Sequence, residues 1–290
     1  MTRMHDDELD LDEALVRRLL AEQFPKWARL QLRRIEPSGT VNAIFRLGDE
    51  LSVRLPRREG PGEPGSVELE WLPQLAPELP VEVPVPVAQG RPGAGYPWFW
   101  EVHRWVEGEV LPVEEIDGVR AARDLAALVE ALQRVDPAEA PPGRGIPLAV
   151  RDEQMGHWWA RFDGEPRAWD AWQRALAAPP WDGPAVWHHG DLDCRNWLVR
   201  DGRISGVIDW GSMGVGDPAC DVMVAWKLHS AAARDAFRDA LPTDDATWER
   251  ARGWAVSQAV AALSYYTPEN NPSLVREAEA WLSLALSDGG

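Results

Sequence analysis

The sequence predicts an α+β chain whose first third is built of short strands and whose remainder is mostly helical. Three observations lead there. Between Leu32 and Leu55, apolar residues come in short alternating runs broken by turn residues, the period-two signature of strands. From Asp117 onward they recur every three or four residues, in segments closed by proline. Around Trp197 to Ile208 the short runs return, so a hairpin interrupts the helical part. At 290 residues the chain can bury a large core and can form one bilobal enzyme or two domains.

Taken in order, Asp10 with Glu13 reads as a capping box. Leu11, Leu15, Leu19 and Leu20 follow at helical spacing, and Pro25 closes the segment. Leu32 to Ile35 and Ala43 to Leu47 read as strands. Gly48-Asp49-Glu50 turns the chain into a third, Leu51 to Leu55. There Leu51, Val53 and Leu55 share one face, and Ser52 and Arg54 share the other. Pro56 to Gly65 is a loop, and Val67 to Leu75 a helix. Val81 to Val87 alternates with prolines, which suits an edge segment. Tyr96 to Val106 is aromatic and strand-prone. Asp117 to Val135 is a long helix with Ala122, Leu125, Val129 and Leu132 on its apolar face. A Pro/Gly-rich loop, Pro137 to Pro147, precedes two short helices, Asp152 to Phe162 and Pro166 to Leu176. These carry Trp158, Trp159, Trp169 and Trp172, read here as aromatic packing between helices, with a place on a substrate-binding face as the alternative. Ala185 to His189 is a short strand. After Pro218 the chain is helical, in segments from Ala219 to Ser230, Ala232 to Leu241, Asp245 to Tyr266 and Ser273 to Ser287.

Composition narrows the function classes. The formal net charge of −17 argues against nucleic acid as a partner, because phosphates demand a basic face. It suits a cationic small molecule drawn by the field of the protein, or simply solubility. No apolar run approaches the roughly 20 residues needed to cross a bilayer. The start, MTRMHDDELDLDE, has no apolar signal region. Cys194 and Cys220 fit neither a metal spacing nor a disulfide framework, so a reduced cytoplasmic setting is expected.

The chemistry lies in one stretch, WHHGDLDCRNWLVRDGRISGVIDWGSMGVGDPACD, from Trp187 to Asp221. Asp-Gly between two apolar runs predicts a tight hairpin centred on Asp201-Gly202. Such a hairpin brings Asn196 and Asp209 together at its mouth, close to Asp191. A carboxylate, an amide oxygen and a second carboxylate then converge. Few, hard oxygen ligands suit Mg²⁺ shared with substrate phosphates. The division of labour is that of phosphoryl transfer, with one Asp beside the nucleophile and an Asn and an Asp on metal.

These motifs resemble the aminoglycoside phosphotransferase family, a branch of the protein-kinase-like fold. His189-Gly190-Asp191 is similar to its H-G-D. Asp209-Trp210-Gly211 is similar to the kinase D-F-G, and Gly216-Asp217-Pro218 with Asp221 to its G-D-P-x-x-D. The resemblance implies a bilobal fold, with a small antiparallel-sheet lobe over residues 1–104, a hinge at 105–109 and a larger, mostly helical lobe over 110–290. It implies a Mg²⁺-dependent kinase using ATP or GTP, acting on a hydroxyl of an aminoglycoside-like acceptor. Macrolide, sugar, choline-like and amino-alcohol acceptors remain open.

By position, Asp191 would orient the hydroxyl and take its proton, and Arg195 would touch the transferred phosphate. Asn196 and Asp209 would hold Mg²⁺. Ser38, Gly39 and Thr40 would cover the nucleotide phosphates, although with one glycine they equally fit an ordinary turn. Backbone groups at Trp105 and Val106 would hold the base. Arg54 stands where the family pattern expects a lysine. Glu68, from its spacing to Trp71-Leu72-Pro73, is preferred over Glu70 as its partner. Asp221 or Asp217 would anchor the catalytic loop, and His189 would support it. A different class of reading, a binding or accessory protein, is motivated by Arg54 and the glycine-poor loop.

Overall fold

The computed structural model describes residues 11–35, 41–57, 66–137 and 139–287. Contacts divide the chain into two compact units: residues up to Pro77 with Glu82–Glu107, and Glu78–Val81 with Gly108–Gly290. Among the described residues, no helix is long and apolar enough to cross a membrane.

The first unit is a sheet with helices. Helix α1 (Glu13–Gln23) is followed by strands β1 (Leu32–Arg34), β2 (Asn42–Leu47) and β3 (Leu51–Pro56). Helix α2 (Val67–Leu75) leads to β4 (Pro86–Gly90) and β5 (Trp100–Arg104). The five strands run antiparallel in the order β1-β2-β3-β5-β4. The proline-rich run thus ends at an edge, where missing N–H donors cost least. Leu15, Val16 and Leu19 of α1 share one core with Phe45, Val53, Leu55 and Val102 of the sheet. The alternation of β3 explains this: Val53 and Leu55 are fully buried in that core, while Arg54 is only partly covered.

One expectation shifts. The cap of α1 is Asp12, whose carboxylate accepts from the Leu15 N–H at 2.7 Å; Asp10 lies outside the described residues. A cap of this kind is worth about 1 kcal/mol. Asp12 takes the role because Leu11 is buried, which fixes where the chain enters the helix.

The second unit is helical around two small strand pairs. Helix α3 (Gly118–Arg134) is capped by Asp117 and buries the stripe from Ala122 to Leu132. Helices α4 (Leu148–Trp159) and α5 (Arg167–Ala177) follow. The α4 boundary is a correction: the helix begins at Leu148, directly after Pro147, and stops at Trp159. Pro147 has its φ held at −56° in an extended backbone just outside the helix, which fixes where the helix starts. Strand β6 (Val186–His188) pairs antiparallel with β9 (Gly214–Gly216), and β7 (Trp197–Arg200) with β8 (Arg203–Val207). Then come α6 (Ala219–Val222), α7 (Ala231–Ala240), α8 (Asp245–Tyr265) and α9 (Pro272–Ser287).

The single helix expected from Ala219 to Ser230 is α6 followed by a 3₁₀ stretch, Met223–Leu228. Every side chain of that stretch is buried, so it has no polar face to set a 3.6-residue register. Helix α8 packs against α4, α5, α6 and α9 and holds the helical core together.

Candidate active site

The loop after β6 is fixed by a buried carboxylate. Asp221, at the start of α6, accepts from the backbone N–H of His189 at 2.7 Å and of Gly190 at 2.9 Å. Of the two acids considered for this task, Asp221 performs it. Asp217 instead binds Arg250 at 2.7 Å and the Ala219 N–H at 2.9 Å. Hydrogen bonds to a charged group are worth about 1.5–3 kcal/mol each, so Asp221 holds the loop firmly. Gly190 has φ 84°, and a Cβ there would sit 2.4 Å from the Ser212 carbonyl oxygen. Only glycine fits such a turn against backbone.

His189 ties this loop to the hairpin. Its Nδ1 accepts from the Asp191 N–H at 3.1 Å, so the proton must sit on Nε2, which donates to the Ile208 carbonyl at 3.0 Å. Its ring meets Trp210 edge-on at 4.6 Å. A fully buried, neutral, doubly bonded histidine is a support rather than a ligand. His188, also buried, accepts from the Gly145 N–H at 3.0 Å through Nε2, and burial pulls its pKa down, so it too stays neutral.

The β7–β8 hairpin places the remaining groups. Asp201 and Gly202 both have positive φ (54° and 70°), the two-residue turn that the Asp-Gly pair predicts. Trp197 pairs with Val207, and the Ile208 N–H donates to the Asn196 carbonyl at 2.9 Å. Asn196 and Asp209 therefore stand at the open end. The Asn196 amide nitrogen donates to the Asp191 carbonyl at 3.0 Å, which brings the third residue in. Asp209 has φ 65°, a left-handed conformation that Asp tolerates and that turns the chain out of the strand. Its carboxylate is exposed, and among the described residues no hydrogen bond or ion pair occupies it.

In the first unit, Arg54 and Glu68 meet, with Nη1 3.4 Å from Oε1 and both side chains largely covered. The sequence reading missed Glu101, which stands directly opposite Arg54 across β3 and β5. Burial pushes the Glu101 carboxyl up, but His103, Ser66 and Arg54 outweigh it and hold it below the usual carboxylate range. His103 bonds Glu101 at 2.8 Å and Ser66 does so at 3.0 Å. The signal for Glu101 was present in strand pairing but needed the register. The Trp105 N–H donates to the Glu50 carbonyl at 2.8 Å, and its ring lies 4.6 Å from the Arg46 guanidinium. That N–H is taken, leaving the Trp105 carbonyl and the backbone of buried Val106 for a base. Ser38, Gly39 and Thr40 lie outside the described residues.

A phosphotransferase enzyme family model matches residues 31–254. The chain belongs to that family. A Bacillus subtilis (strain 168) relative, named only as uncharacterized protein YcbJ, is 25% identical over 193 residues, covering 59% of this chain and 61% of its own length. Solved structures share the protein-kinase-like fold over nearly the whole chain. One is the GDP complex of wild-type aminoglycoside 2'-phosphotransferase-IIIa, with TM-score 0.69, 15% identity, and coverage of 97% of this chain and 100% of that one. Another is the apoenzyme of a macrolide 2'-phosphotransferase from Brachybacterium faecium, with TM-score 0.63, 23% identity, and coverage of 94% and 96%.

Two features of this phosphotransferase-family chain were not anticipated. Arg195 does not stand free near Asp191. Its Nε lies 2.6 Å from Asp193 Oδ1 and 3.9 Å from Glu277 Oε2. Lys227 holds the other Asp193 oxygen at 3.3 Å. Burial pushes the Asp193 carboxyl up, yet Lys227 and Arg195 outweigh it and hold it well below the usual range. Asp193, Cys194 and Glu277 lie close enough together to hold a metal, but two cations already occupy Asp193. Burial also pushes the Cys194 thiol up, away from the thiolate a metal needs.

A pH prediction follows from Asp193. Its folded pKa is below the unfolded value of about 3.9. Its contribution is therefore complete above that value and is lost as pH falls below about 4. Urea midpoints should drop on acidification below that point. In Asp193→Asn the protein should be weaker throughout but the acid drop shallower; an equally steep drop would remove Asp193 as its source.

The second feature is Arg144. The segment from Pro141 to Ile146 runs along β9: the Val215 N–H donates to the Pro141 carbonyl at 3.0 Å and the Gly143 N–H to the Val215 carbonyl at 3.1 Å. A Cβ on Gly143 would lie 2.5 Å from His188 Nε2 of β6 and 2.8 Å from the Gly214 Cα of β9, so the segment lies against both strands because it is glycine. Between the two glycines Arg144 reaches out, and its Nη1 binds Asp191 Oδ1 at 2.6 Å and the Gly190 carbonyl at 3.0 Å. Asp191 is thus a paired carboxylate. The reading of the loop as a plain connector missed this residue, whose only sequence signal is an arginine set between glycines.

Proposed function

We propose that this chain transfers the γ-phosphoryl group of a nucleoside triphosphate, ATP or GTP, to a hydroxyl group of a small molecule. The observation that carries this reading is the meeting of Asp191, Asn196 and Asp209 at one end of a hairpin, locked by bonds through Asn196 and Ile208. Asp191 would orient the acceptor hydroxyl and accept its proton as the oxygen attacks. Asn196 and Asp209 would supply the oxygen donors for Mg²⁺. The fit is good: the Asn196 nitrogen faces the Asp191 carbonyl, which turns the amide oxygen the other way, and the Asp209 carboxylate is exposed. Such an ion, when bound, would offset charge on the phosphate oxygens.

Arg54, braced by Glu68 and Glu101, would hold phosphate oxygens through its planar fork. Backbone groups at Trp105 and Val106 would take the base. The fit between a rigid loop and a fixed hairpin supports catalysis by positioning and charge stabilisation. Candidate acceptors are an aminoglycoside, macrolide, sugar, choline-like compound or amino alcohol. The test is transfer of labelled γ-phosphate from ATP and from GTP to a panel of these, with and without Mg²⁺. Metal-dependent transfer to at least one acceptor is expected. If neither nucleotide is consumed with any acceptor, nor hydrolysed alone, the reading fails and an accessory binding protein takes its place.

Arg54 yields a graded prediction. Arg54→Lys keeps the charge and loses the fork; Arg54→Ala loses both. Nucleotide KM should rise in that order, with turnover less affected. Glu68→Ala should weaken the wild type but add little to Arg54→Ala, because coupled residues are not additive. Full activity of Arg54→Ala at subsaturating nucleotide would reduce Arg54 to a surface cation.

A further inference from the structure

An arginine without a counter-ion stands close to Arg144. Arg151 lies in the first turn of α4, a turn with no acidic residue and a proline cap that makes no side-chain bond. A cation there opposes the helix dipole, so local helix energetics do not explain it. Its guanidinium stacks 4.2 Å from the Trp254 ring and 5.4 Å from the Trp158 ring. The one hydrogen bond recorded for it is a long one, 3.5 Å to Ser257 Oγ, and its buried Nε has no partner. Among the described residues no carboxylate pairs with it. The nearby acids have other partners: Asp217 holds Arg250, Asp221 holds the loop amides, and Asp152 accepts from Trp172. Burial, then the charge of Arg144, pulls Arg151 down to about 10, and both guanidinium groups act on the buried thiol of Cys220. The two cations are therefore neighbours, in a chain whose net charge is −17.

We propose that Arg144 and Arg151 form an oxyanion-recognising wall beside Asp191, so that the acceptor is a hydroxyl compound carrying a carboxylate or phosphate group. This rests on the phosphoryl-transfer reading and specifies its acceptor. Arg144 uses one nitrogen, Nη1, for both Asp191 and Gly190, leaving its other donors for a ligand. Arg151 stacks on two indoles with its Nε buried, so its two terminal nitrogens, one of them only in the long bond to Ser257, are the donors it offers a ligand. A guanidinium fork matches a planar or tetrahedral oxyanion in a bidentate manner. A polycation would instead face two guanidinium groups. The chain's overall acidity is thus a poor guide to this wall, whose two side chains are both cationic.

The test uses the full-length protein, as wild type, Arg151→Met and Arg144→Gln. The probes are small hydroxy-carboxylates with their neutral amides, sugar phosphates with their parent sugars, and kanamycin. Transfer of labelled γ-phosphate is measured for each, and calorimetric binding of the same compounds is measured with Mg²⁺ and a non-hydrolysable nucleotide. At least one anionic probe should be favoured over its neutral partner by about tenfold or more, mainly in KM. Arg151→Met should bring that ratio near one, and Arg144→Gln should lower it. The carboxylate and phosphate arms tell which oxyanion is read. The inference is overturned if neutral probes or kanamycin serve as well, if no anionic probe is preferred, or if the ratio survives both substitutions. Mg²⁺-dependent hydrolysis of nucleotide without acceptor reports on the phosphoryl-transfer reading separately. If transfer fails altogether, the calorimetric ratio alone decides the anion question.

Discussion

Asp191→Asn is expected to keep nucleotide binding and to lower turnover by about 10²–10⁴-fold, the range for loss of a general base. The substitution is nearly isosteric, and the loop is held from outside by Asp221, so the geometry should persist. An amide cannot accept the hydroxyl proton. It also gives up the charge that pairs with Arg144 at 2.6 Å, leaving that guanidinium exposed to water or ligand. The deficit should therefore appear in kcat while nucleotide KM changes little. Turnover within a few-fold of wild type would remove Asp191 from the role of base.

Asp209→Ala is expected to abolish Mg²⁺-dependent nucleotide binding, because the proposed site would lose its charged ligand. Asn196→Ala should do less to the metal, since a neutral amide oxygen contributes less charge. It should also loosen the Asp191 backbone, which Asn196 holds through a 3.0 Å bond. The two variants should thus differ in kind: Asp209→Ala in the metal dependence of binding, Asn196→Ala in both turnover and metal affinity. Titration of Mg²⁺ into the nucleotide complex checks this, and unchanged affinity in both variants would sink the metal assignment. Added strain in the left-handed backbone at position 209 is a separate effect; alanine tolerates φ 65° less well than aspartate, so an Asp209→Asn control isolates charge from backbone.

The parts of the site that were legible in the sequence are those whose geometry is local. Asn196 and Asp209 meet because an Asp-Gly turn fixes the register of a short hairpin, and the turn has both residues at positive φ. Arg54 could be placed on the less buried face of β3 because strand side chains alternate. Glu68 was reached through the family resemblance, and its 3.4 Å contact with Arg54 joins residues on separate elements. The cap of α1 was misplaced by two residues, since Asp10 and Asp12 are the same residue type and burial of Leu11 separates them. The break after Val222 was hidden because Met223–Leu228 is buried on all sides and carries no periodicity to read.

The sequence by itself determined the fold class and the family, and put forward Asp191, Asn196 and Asp209 as candidates, because these rest on periodicity, on short motifs and on one hairpin. Apart from the Arg54–Glu68 pair, only the tertiary structure decided which charges face one another. Arg144 reaches Asp191 across 47 positions, Lys227 reaches Asp193 across 34, and Arg151 lies against Trp254 on another helix. An ion pair or a stacked guanidinium requires coincidence in space, and a chain packed through α8 brings distant residues together in ways that no local pattern encodes. The net charge of −17 is a sum over the whole chain. The field at Asp191 is instead dominated by the Arg144 guanidinium 2.6 Å away, because Coulomb energy falls with distance and solvent screens the rest.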